Sequence, residues 1–493
     1  MKYTSPEAAG ISSRHVLDFF KELEEYHLST HSVIMARGDD IFVECYYAPF
    51  HKDFLHRMYS ASKSFVSIAV GFCEQDGLIS LDDPIEKYFE EYLATRSEAH
   101  RQSTTIRQLL KMESAIESGI SWFRSGCSDR TDVYFDNIPQ KNPDTLFKYD
   151  SSGNYILGAI VERVTGKPFL EYLREKALGD IGFSADAYAI KVPGGHSFCD
   201  SGVMCRSYDL LLFARFVLNG GVWNGKRYLN EEYIKKATTP TVCNNDYGFA
   251  AHGGFGYGYQ FWGAPRGCIA MLGMGTQIAL LDPKHDFIFV INSDNQGNPC
   301  HYEQIYEALY RNVIDRLSEG EALPEDEAAR GELEEYLKDR KLFYLYEAKE
   351  SPFSERISGA VFDCEENPMG IKWFRLDFEG ERGYFSYENE QGEKSFCFGF
   401  GHNEFGKFPQ EDYSDLVATV AKKGNRYDAA FSADWPEEQK LRVRVQIIDK
   451  YFGNLAIVFG FKDEDTVSVR MSKAAEHFLN EYEGVMNAKR RRK

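Results

Sequence analysis

The sequence predicts an α+β protein in which an antiparallel sheet flanked by helices is followed by a separate all-β domain. Up to about residue 317, β-branched and aromatic runs occur near the start and the end, with helical periodicities between them. Beyond about residue 336, the pattern changes to many short runs separated by Gly, Asn and Asp. The length of 493 residues also exceeds the size at which one core keeps growing, so two domains are expected.

The first elements are a helix and a hairpin. Residues 11–26 carry an apolar stripe at helical spacing, and the runs 32–36 and 41–46 are joined by Arg37-Gly38-Asp39-Asp40. The junction contains an Arg-Gly-Asp tripeptide, which can indicate adhesion. A chain that begins without a recognisable secretion signal favours a turn instead.

Helices and a second hairpin complete the first domain. The predicted helices span residues 60–75, 106–112, 155–165, 209–218, 231–237 and 302–317, and the second hairpin joins strands 277–281 and 287–291. If the two hairpins pair into one sheet, the terminal helices can cover one face and the helical middle the other. Between residues 112 and 147, Trp122, Phe123, Tyr134 and Phe135 could line a pocket or cap the core, and both interpretations stay open.

The domain limits follow from the change in composition. We assign residues 1–317 to the first domain, the acidic segment 318–335 around Pro324 to a linker, and residues 336–493 to an antiparallel barrel or sandwich. The predicted strands of this last domain are 371–378, 383–387, 395–400, 426–431, 441–448, 455–461 and 466–471. The basic residues 489–493 are interpreted as a frayed, solvated end.

Composition excludes several classes of partner. A net charge of -19 argues against nucleic acid and anionic membranes, both of which favour basic surfaces. Residues 1–7 do not resemble a secretory signal, and no apolar run is long enough to span a bilayer. The ten cysteines show no C-x-x-C spacing, which favours reduced thiols and a cytoplasmic location. The histidines show no metal-ligand spacing, so we expect neither metal nor cofactor; the oligomeric state stays open.

The candidate nucleophile is Ser60, three residues before Lys63 at the start of a predicted helix. Positions i and i+3 share a helix face, so the Lys63 amine can reach the Ser60 hydroxyl and take its proton. The helix N-terminus adds N–H groups and a positive dipole end that favour an oxyanion beside the serine. By itself this Ser-x-x-Lys pattern is weak, because chance supplies on the order of one per chain of this length. Taken alone, the pair is better explained as a helix cap and a surface lysine.

The order and context of further motifs make the pattern specific. From about Ser5 to Leu317, the chain resembles the serine β-lactamase and penicillin-binding-protein superfamily, in the branch with class C β-lactamases, D-aminopeptidases and related esterases and amide hydrolases. The residues that carry the resemblance are Ser5-Pro6-Glu7-Ala8-Ala9-Gly10-Ile11, Tyr59-Ser60-Ala61-Ser62-Lys63-Ser64-Phe65, Phe147-Lys148-Tyr149-Asp150-Ser151, Leu157-Gly158, Val164-Thr165-Gly166-Lys167, Leu218-Asn219-Gly220-Gly221-Val222-Trp223 and Leu281-Asp282-Pro283.

The resemblance implies a β-lactamase/transpeptidase-like fold and a set of catalytic roles. Ser60 would be the acylated nucleophile and Lys63 its proton acceptor. Tyr149 falls on the tyrosine of the Tyr-x-Asn motif, where a phenol beside an ammonium shares the proton and helps to activate the deacylating water. The backbone N–H groups of Ser60 and Gln277 would form the oxyanion hole.

Two departures from the family pattern bear on the substrate. Ser151 stands where the family usually has Asn, and Met274-Gly275-Thr276 aligns with the third motif, which is Lys-Thr-Gly or a His-containing variant. Met274 neither carries charge nor donates a hydrogen bond, so a carboxylate-bearing substrate loses its expected partner.

These motifs predict a metal-independent serine hydrolase that acts through an acyl-enzyme on a small ester, amide or D-amino-acid derivative. The alternative is a catalytically impaired, β-lactamase-like ligand-binding protein, for which Met274 is the motivation.

A second motif is set aside. Ser293-Asp294-Asn295 spells the second motif of class A β-lactamases, where it lies between the Ser-x-x-Lys and Lys-Thr-Gly elements. In this chain it follows the third motif, directly after a strand. We therefore expect no catalytic role for it.

Overall fold

The chain divides into two units in the computed structural model, which describes residues 1–117, 129–247, 251–416 and 421–492. The first unit comprises Met1–Asn295 and Cys300–Lys341, and the second comprises Gln296–Pro299 and Leu342–Lys493. Residues 318–335, assigned above to a linker, lie within the first unit and contain most of the helix Glu327–Lys338, on which Ala329 and Leu333 are buried.

The two predicted hairpins pair into one sheet, as expected. In the described part of the chain its strand order is Lys2–Tyr3, Asp40–Tyr46, Thr30–Arg37, Phe287–Ser293, Gln277–Asp282, Ile269–Gly273 and Trp262–Gly263. Neighbouring strands are antiparallel except for the first pair, which is parallel. Thr30–Arg37 and Phe287–Ser293 join the hairpins at the centre, with Val33 opposite Ile291.

Helices pack against this sheet. Phe19 of the first helix meets Phe289 edge to face, with ring centroids 5.7 Å apart, and the helix Ser207–Leu218 packs on the central strands. The α-helices of the first unit are Ser13–Glu25, Ser62–Gln75, Glu90–Leu93, Ile106–Leu110, Arg130–Phe135, Ser151–Thr165, Phe169–Leu173, Ser207–Leu218, Glu231–Thr238, His301–Asn312 and Glu327–Lys338. The described residues thus form the predicted α+β arrangement.

The shorter elements of the first unit lie between these helices. A 3₁₀ turn, Tyr59–Ala61, leads directly into Ser62–Gln75. A three-stranded sheet is formed by His56–Arg57, Val203–Cys205 and Tyr188–Ala189, and Val222–Trp223 pairs with Lys226–Arg227. The remaining 3₁₀ turns are Ile85–Tyr88, Glu98–His100, Pro265–Gly267 and Ile314–Arg316, and Arg174–Leu178 is π-helical.

The Arg-Gly-Asp tripeptide is a structural turn, as predicted. It joins the strands Thr30–Arg37 and Asp40–Tyr46, with Gly38 at φ +55°. The Arg37 guanidinium donates to the carbonyls of His285, Ala9 and Ser318. These bonds tie the hairpin to neighbouring loops and occupy the arginine.

The aromatic residues of the segment 112–147 divide into two groups. Tyr134 and Phe135 are fully buried on the helix Arg130–Phe135, which favours the core interpretation for them. Trp122 and Phe123 lie outside the described residues.

The second unit is a barrel rather than a sandwich. Its strands are Val361–Cys364, Trp373–Glu379, Arg382–Asn389, Gly392–Phe400, Glu404–Lys407, Asp428–Glu437, Lys440–Ile448, Phe452–Phe461, Thr466–Ala474 and Gly484–Arg490, preceded by the helix Pro352–Ile357. Gly392–Phe400 pairs in parallel with Asp428–Glu437, so nine of these described strands close on themselves. Glu404–Lys407 adds to Asp428–Glu437 outside that ring.

The prediction of a frayed basic end is wrong for Lys489 and Arg490. Both belong to the strand Gly484–Arg490, where Lys489 is opposite Thr466 and Arg490 is opposite Phe362. Met486 and Ala488 of this strand are buried, whereas Val485, Asn487 and Lys489 are exposed. This alternation of buried and exposed residues is strand periodicity, which the exposed Val485 and the terminal run of charges obscure in the sequence.

None of the helices in the described ranges is both long and apolar enough to cross a membrane.

Candidate active site

Ser60 lies in a sharply turned segment before a helix. Tyr59 has φ +46°, a conformation uncommon for a residue other than glycine, and its ring is buried 4.0 Å from the Arg57 guanidinium. Such a conformation persists where the surrounding packing determines it. Ser60 itself is only partly buried, at the start of the continuous 3₁₀ and α-helical segment from Tyr59 to Gln75.

The neighbouring serines are not alternatives for the same role. Ser62 and Ser64 are buried. The Ser62 hydroxyl accepts from the Val203 N–H (3.0 Å), and the Ser64 hydroxyl donates to the Gln260 carbonyl (2.7 Å). Ser60 is therefore the serine of this stretch that a substrate can reach.

Lys63 contacts Ser60 as the i, i+3 spacing predicts. Its Nζ donates to Ser60 Oγ at 2.9 Å and to the main-chain carbonyl of Asp200 at 2.8 Å. The side chain is 2% exposed. The second bond comes from 137 residues further along the chain and fixes the amine beside the hydroxyl.

Two carboxyl groups, those of Asp150 and Asp200, interact electrostatically with the Lys63 amine. Burial raises the pKa of Asp150, and hydrogen bonds from Ser152 and Gly153 together with the Lys63 charge oppose the rise. Burial likewise raises the pKa of Asp200, against the nearby positive charges, of which Lys63 contributes most. Asp150 also caps the helix Ser151–Thr165, accepting from the Ser152 and Gly153 N–H groups at 2.9 Å each.

Tyr149 forms the aromatic side of the site. Lys63 Nζ lies 5.1 Å from the centroid of its ring. The ring packs on Trp262 (centroids 5.3 Å apart) and Tyr247 (6.0 Å), and burial raises the pKa of Tyr247 to about 12. The Lys63 amine thus lies next to the ring of Tyr149.

Ser151 is the first residue of the helix Ser151–Thr165 and is partly buried. An asparagine that sequence reasoning missed lies one turn further on. The buried Asn154 donates to Gln260 Oε1 (3.0 Å), and its Nδ2 lies 3.5 Å from the Lys63 carbonyl. Asn154 thereby ties this helix to the loop at Gln260 and to the nucleophile helix.

The third-motif residues Met274, Gly275 and Thr276 form the turn between Ile269–Gly273 and Gln277–Asp282. Gly275 and Thr276 both have positive φ, +78° and +71°. Met274 is partly exposed, whereas Thr276 is fully buried. Met274 is thus the side chain of this motif that a substrate can reach.

The strand before this turn lies directly against the nucleophile segment. A Cβ added to Gly273 would lie 2.2 Å from the Met58 carbonyl oxygen, so no larger residue fits without a shift. Gln277, on the next strand, is fully buried, and its side-chain amide donates to the carbonyls of Met274 (2.9 Å) and Ser293 (2.6 Å). Only its main chain remains for the oxyanion role predicted above.

Within the described ranges, no group of three or more His, Cys, Asp or Glu side chains is arranged to hold a metal ion.

Several known proteins are similar to this chain in sequence or in fold. A 6-aminohexanoate-dimer hydrolase of Paenarthrobacter ureafaciens is 27% identical over 296 residues, 55% of this chain and 74% of the relative. Esterase EstB of Burkholderia gladioli is 27% identical over 219 residues, 38% of this chain and 56% of the relative. A candidate 6-aminohexanoate-dimer hydrolase from Bacillus anthracis shares the fold, with a TM-score of 0.51 at 20% identity over 66% of this chain and 88% of that one.

A family model described as Beta-lactamase matches residues 17–309, which is more than half of the chain. The matched segment contains Ser60, Lys63, Tyr149 and the turn at Met274. The chain therefore belongs to the beta-lactamase family.

Proposed function

We propose that this protein is a metal-independent serine hydrolase that forms an acyl-enzyme at Ser60. The observation that carries the proposal is the 2.9 Å contact between the buried Lys63 amine and the partly exposed Ser60 hydroxyl. A nucleophile beside a base needs no metal ion for its activation. The unit that holds this pair, residues 1–295 and 300–341, would be the hydrolase domain.

Acylation would begin with attack of Ser60 Oγ on the substrate carbonyl carbon. The hydroxyl proton passes to a neutral Lys63 Nζ, and the carbonyl oxygen becomes an oxyanion. Collapse of the tetrahedral intermediate expels the alcohol or amine, which takes a proton from Lys63 directly or through Tyr149. Water then attacks the acyl-enzyme, with the same pair accepting its proton and returning one to Ser60 Oγ.

Main-chain N–H groups would stabilise the oxyanion. One is that of Ser60, at the start of the helical segment, and the other comes from the turn beside it, where Gln277 is the predicted donor. The close approach of Gly273 to Met58 brings this turn to the nucleophile segment.

The substrate would be a small ester, amide or D-amino-acid derivative whose acyl group carries no carboxylate at the third motif. Met274 offers an apolar, uncharged surface there, and Tyr149 with its aromatic neighbours offers another. The names of the relatives, a hydrolase of an amide dimer and an esterase, support ester and amide chemistry.

Hydrolysis of a panel of p-nitrophenyl esters tests the proposal. Wild-type protein should release p-nitrophenol, and Ser60→Ala should abolish the release. Met274 also favours a second candidate function, a ligand-binding protein that has lost catalysis. Turnover that depends on Ser60 would exclude that candidate, whereas ligand binding without turnover of any ester or amide would favour it.

A further inference from the structure

Hydrogen bonds to its main-chain carbonyls hold the turn at residues 273–276 in place. All four accept hydrogen bonds from neighbouring side chains. The donors are Tyr302 Oη on Gly273 O (2.7 Å), Gln277 Nε2 on Met274 O (2.9 Å), and Ser293 Oγ on Gly275 O (3.0 Å) and on Thr276 O (2.9 Å). A serine hydroxyl has one hydrogen, so Ser293 serves its two carbonyls in alternation.

A second layer of bonds fixes the same turn through Thr276. Thr276 Oγ1 lies 2.5 Å from Ser293 Oγ and accepts from Asn295 Nδ2 at 2.8 Å. Asn295 in turn donates its N–H to Gly275 O (3.1 Å) and accepts from the Ser29 N–H (2.7 Å). Thr276 and Ser293 are fully buried and Asn295 is 4% exposed, so the network is shielded from water.

Because the peptide unit is planar, the hydrogen bonds on these carbonyls also determine the direction in which the neighbouring main-chain N–H groups point. In a trans peptide the C=O of one residue and the N–H of the next point in opposite directions. Holding Thr276 O toward Ser293 therefore directs the Gln277 N–H away from Ser293. In the same way, the bond on Gly273 O directs the Met274 N–H away from Tyr302. Tyr302 and Ser293 thus orient the main-chain N–H groups of Met274 and Gln277.

We propose that Ser293 and Asn295 are positioning residues that hold the turn 273–276 so that its amide donor meets the oxyanion formed at Ser60. This inference rests on the proposed hydrolase function. It gives Ser293-Asp294-Asn295 a role that does not involve contact with substrate. Loss of one oxyanion donor costs about 100-fold to 1,000-fold in rate, and a displaced donor costs a part of that.

The rate of covalent labelling by a fluorophosphonate tests this inference without knowledge of the substrate, because its phosphoryl oxygen also needs the oxyanion donors. Ser293→Ala removes the hydroxyl. We expect its rate constant for labelling to fall at least about 10-fold, with the final stoichiometry unchanged, and Ser293→Thr to recover much of the loss. For any ester that is turned over, kcat should fall while KM stays within about 2-fold.

A matched control separates positioning from stability. Ser13 is equally buried, and its hydroxyl donates to Glu7 at 2.9 Å in the first turn of the first helix. Ser13→Ala should lower the melting temperature comparably and leave the labelling rate unchanged. If Ser293→Ala does not fold, Thr276→Val, which removes the hydroxyl between Ser293 and Asn295 with little change of shape, decides in its place.

The labelling experiment distinguishes a failure of this inference from a failure of the proposed hydrolase function. Labelling of Ser293→Ala at the wild-type rate would overturn the positioning role while leaving the hydrolase proposal intact. A lower labelling rate that is explained entirely by a smaller fraction of protein able to react with the probe would do the same. A wild-type protein that is never labelled at Ser60 would overturn both.

Discussion

The chemistry of single residues is concentrated around Lys63. Its amine bridges Ser60 Oγ and the Asp200 carbonyl, and its charge opposes the burial-driven rise in the pKa of both Asp150 and Asp200. A base in this position must release its proton before it can accept one from Ser60. The Tyr149 ring lies next to the amine, with its centroid 5.1 Å from Nζ.

Replacement of the base is expected to reduce turnover strongly. Lys63→Ala should lower kcat/KM by at least about 100-fold, because general base catalysis contributes at least that much. Tyr149→Phe keeps the ring beside the amine and removes only the hydroxyl, so a comparable loss would assign a proton-transfer role to that hydroxyl. Steady-state kinetics alongside circular dichroism measure both effects. Full activity in the two variants would show that the base has been misassigned.

A charge at position 274 is expected to change substrate preference. Met274→Lys places an ammonium where this family's third motif usually has one. The ratio of kcat/KM for a carboxylate-bearing ester over its neutral counterpart should rise at least about 10-fold, the gain of one charge-assisted hydrogen bond. Met274→Leu is the uncharged control and should leave the ratio unchanged. An unaltered ratio in Met274→Lys would mean that this side chain does not face the acyl group.

Among the secondary-structure elements, the short strand His56–Arg57 anchors the nucleophile turn. His56 Nδ1 donates to the Arg57 carbonyl (3.0 Å), so its Nε2 accepts from His31 Nδ1–H at 2.8 Å. Burial lowers the pKa of His56 to about 3 and that of His31 well below its ordinary value. Both rings are therefore neutral in the folded protein.

The neutral histidine pair predicts a loss of stability in mild acid. Below about pH 6.5 the unfolded chain binds protons that the folded chain cannot, so the free energy of unfolding falls as pH falls. Each such histidine contributes about 1.4 kcal/mol per pH unit. Urea denaturation between pH 7 and pH 5 should show this slope, and His56→Asn should reduce it by about one histidine's share. An identical slope in the variant would contradict the assignment.

At the scale of the whole molecule, each unit has a hydrophobic core among its described residues. In the first unit, one cluster of buried side chains joins the sheet to the helices Ser13–Glu25 and His301–Asn312. In the second unit the core fills the barrel, where Phe459 packs on Phe374 (ring centroids 5.5 Å apart) and Phe385 (5.3 Å). All three rings are fully buried. Each unit thus has the internal packing that cooperative unfolding requires.

A cavity in the barrel is expected to affect one unfolding transition more than the other. Phe459→Ala should cost about 3–5 kcal/mol in the second unit. Calorimetry should then show the transition of the barrel at lower temperature, while the transition that abolishes Ser60 labelling stays in place. Equal shifts in both transitions would mean that the two units unfold as one.

Local patterns predicted much of this architecture. The Ser60–Lys63 contact follows from helical spacing, and both hairpins follow from apolar runs around turn residues. The strand Gly484–Arg490 was missed because only Met486 and Ala488 are buried, the apolar Val485 is exposed, and the strand runs into a cluster of charges. The Asp200 carbonyl and the Ser293 network depend on segments that folding brings together from a distance, and a single sequence carries no local signal for them.

Peptide mapping after fluorophosphonate treatment is the most direct test of the central claim. We expect one added mass, located on Ser60, which disappears in Ser60→Ala and forms much more slowly in Lys63→Ala. A label on another residue, or the same label and rate in Ser60→Ala, would contradict it.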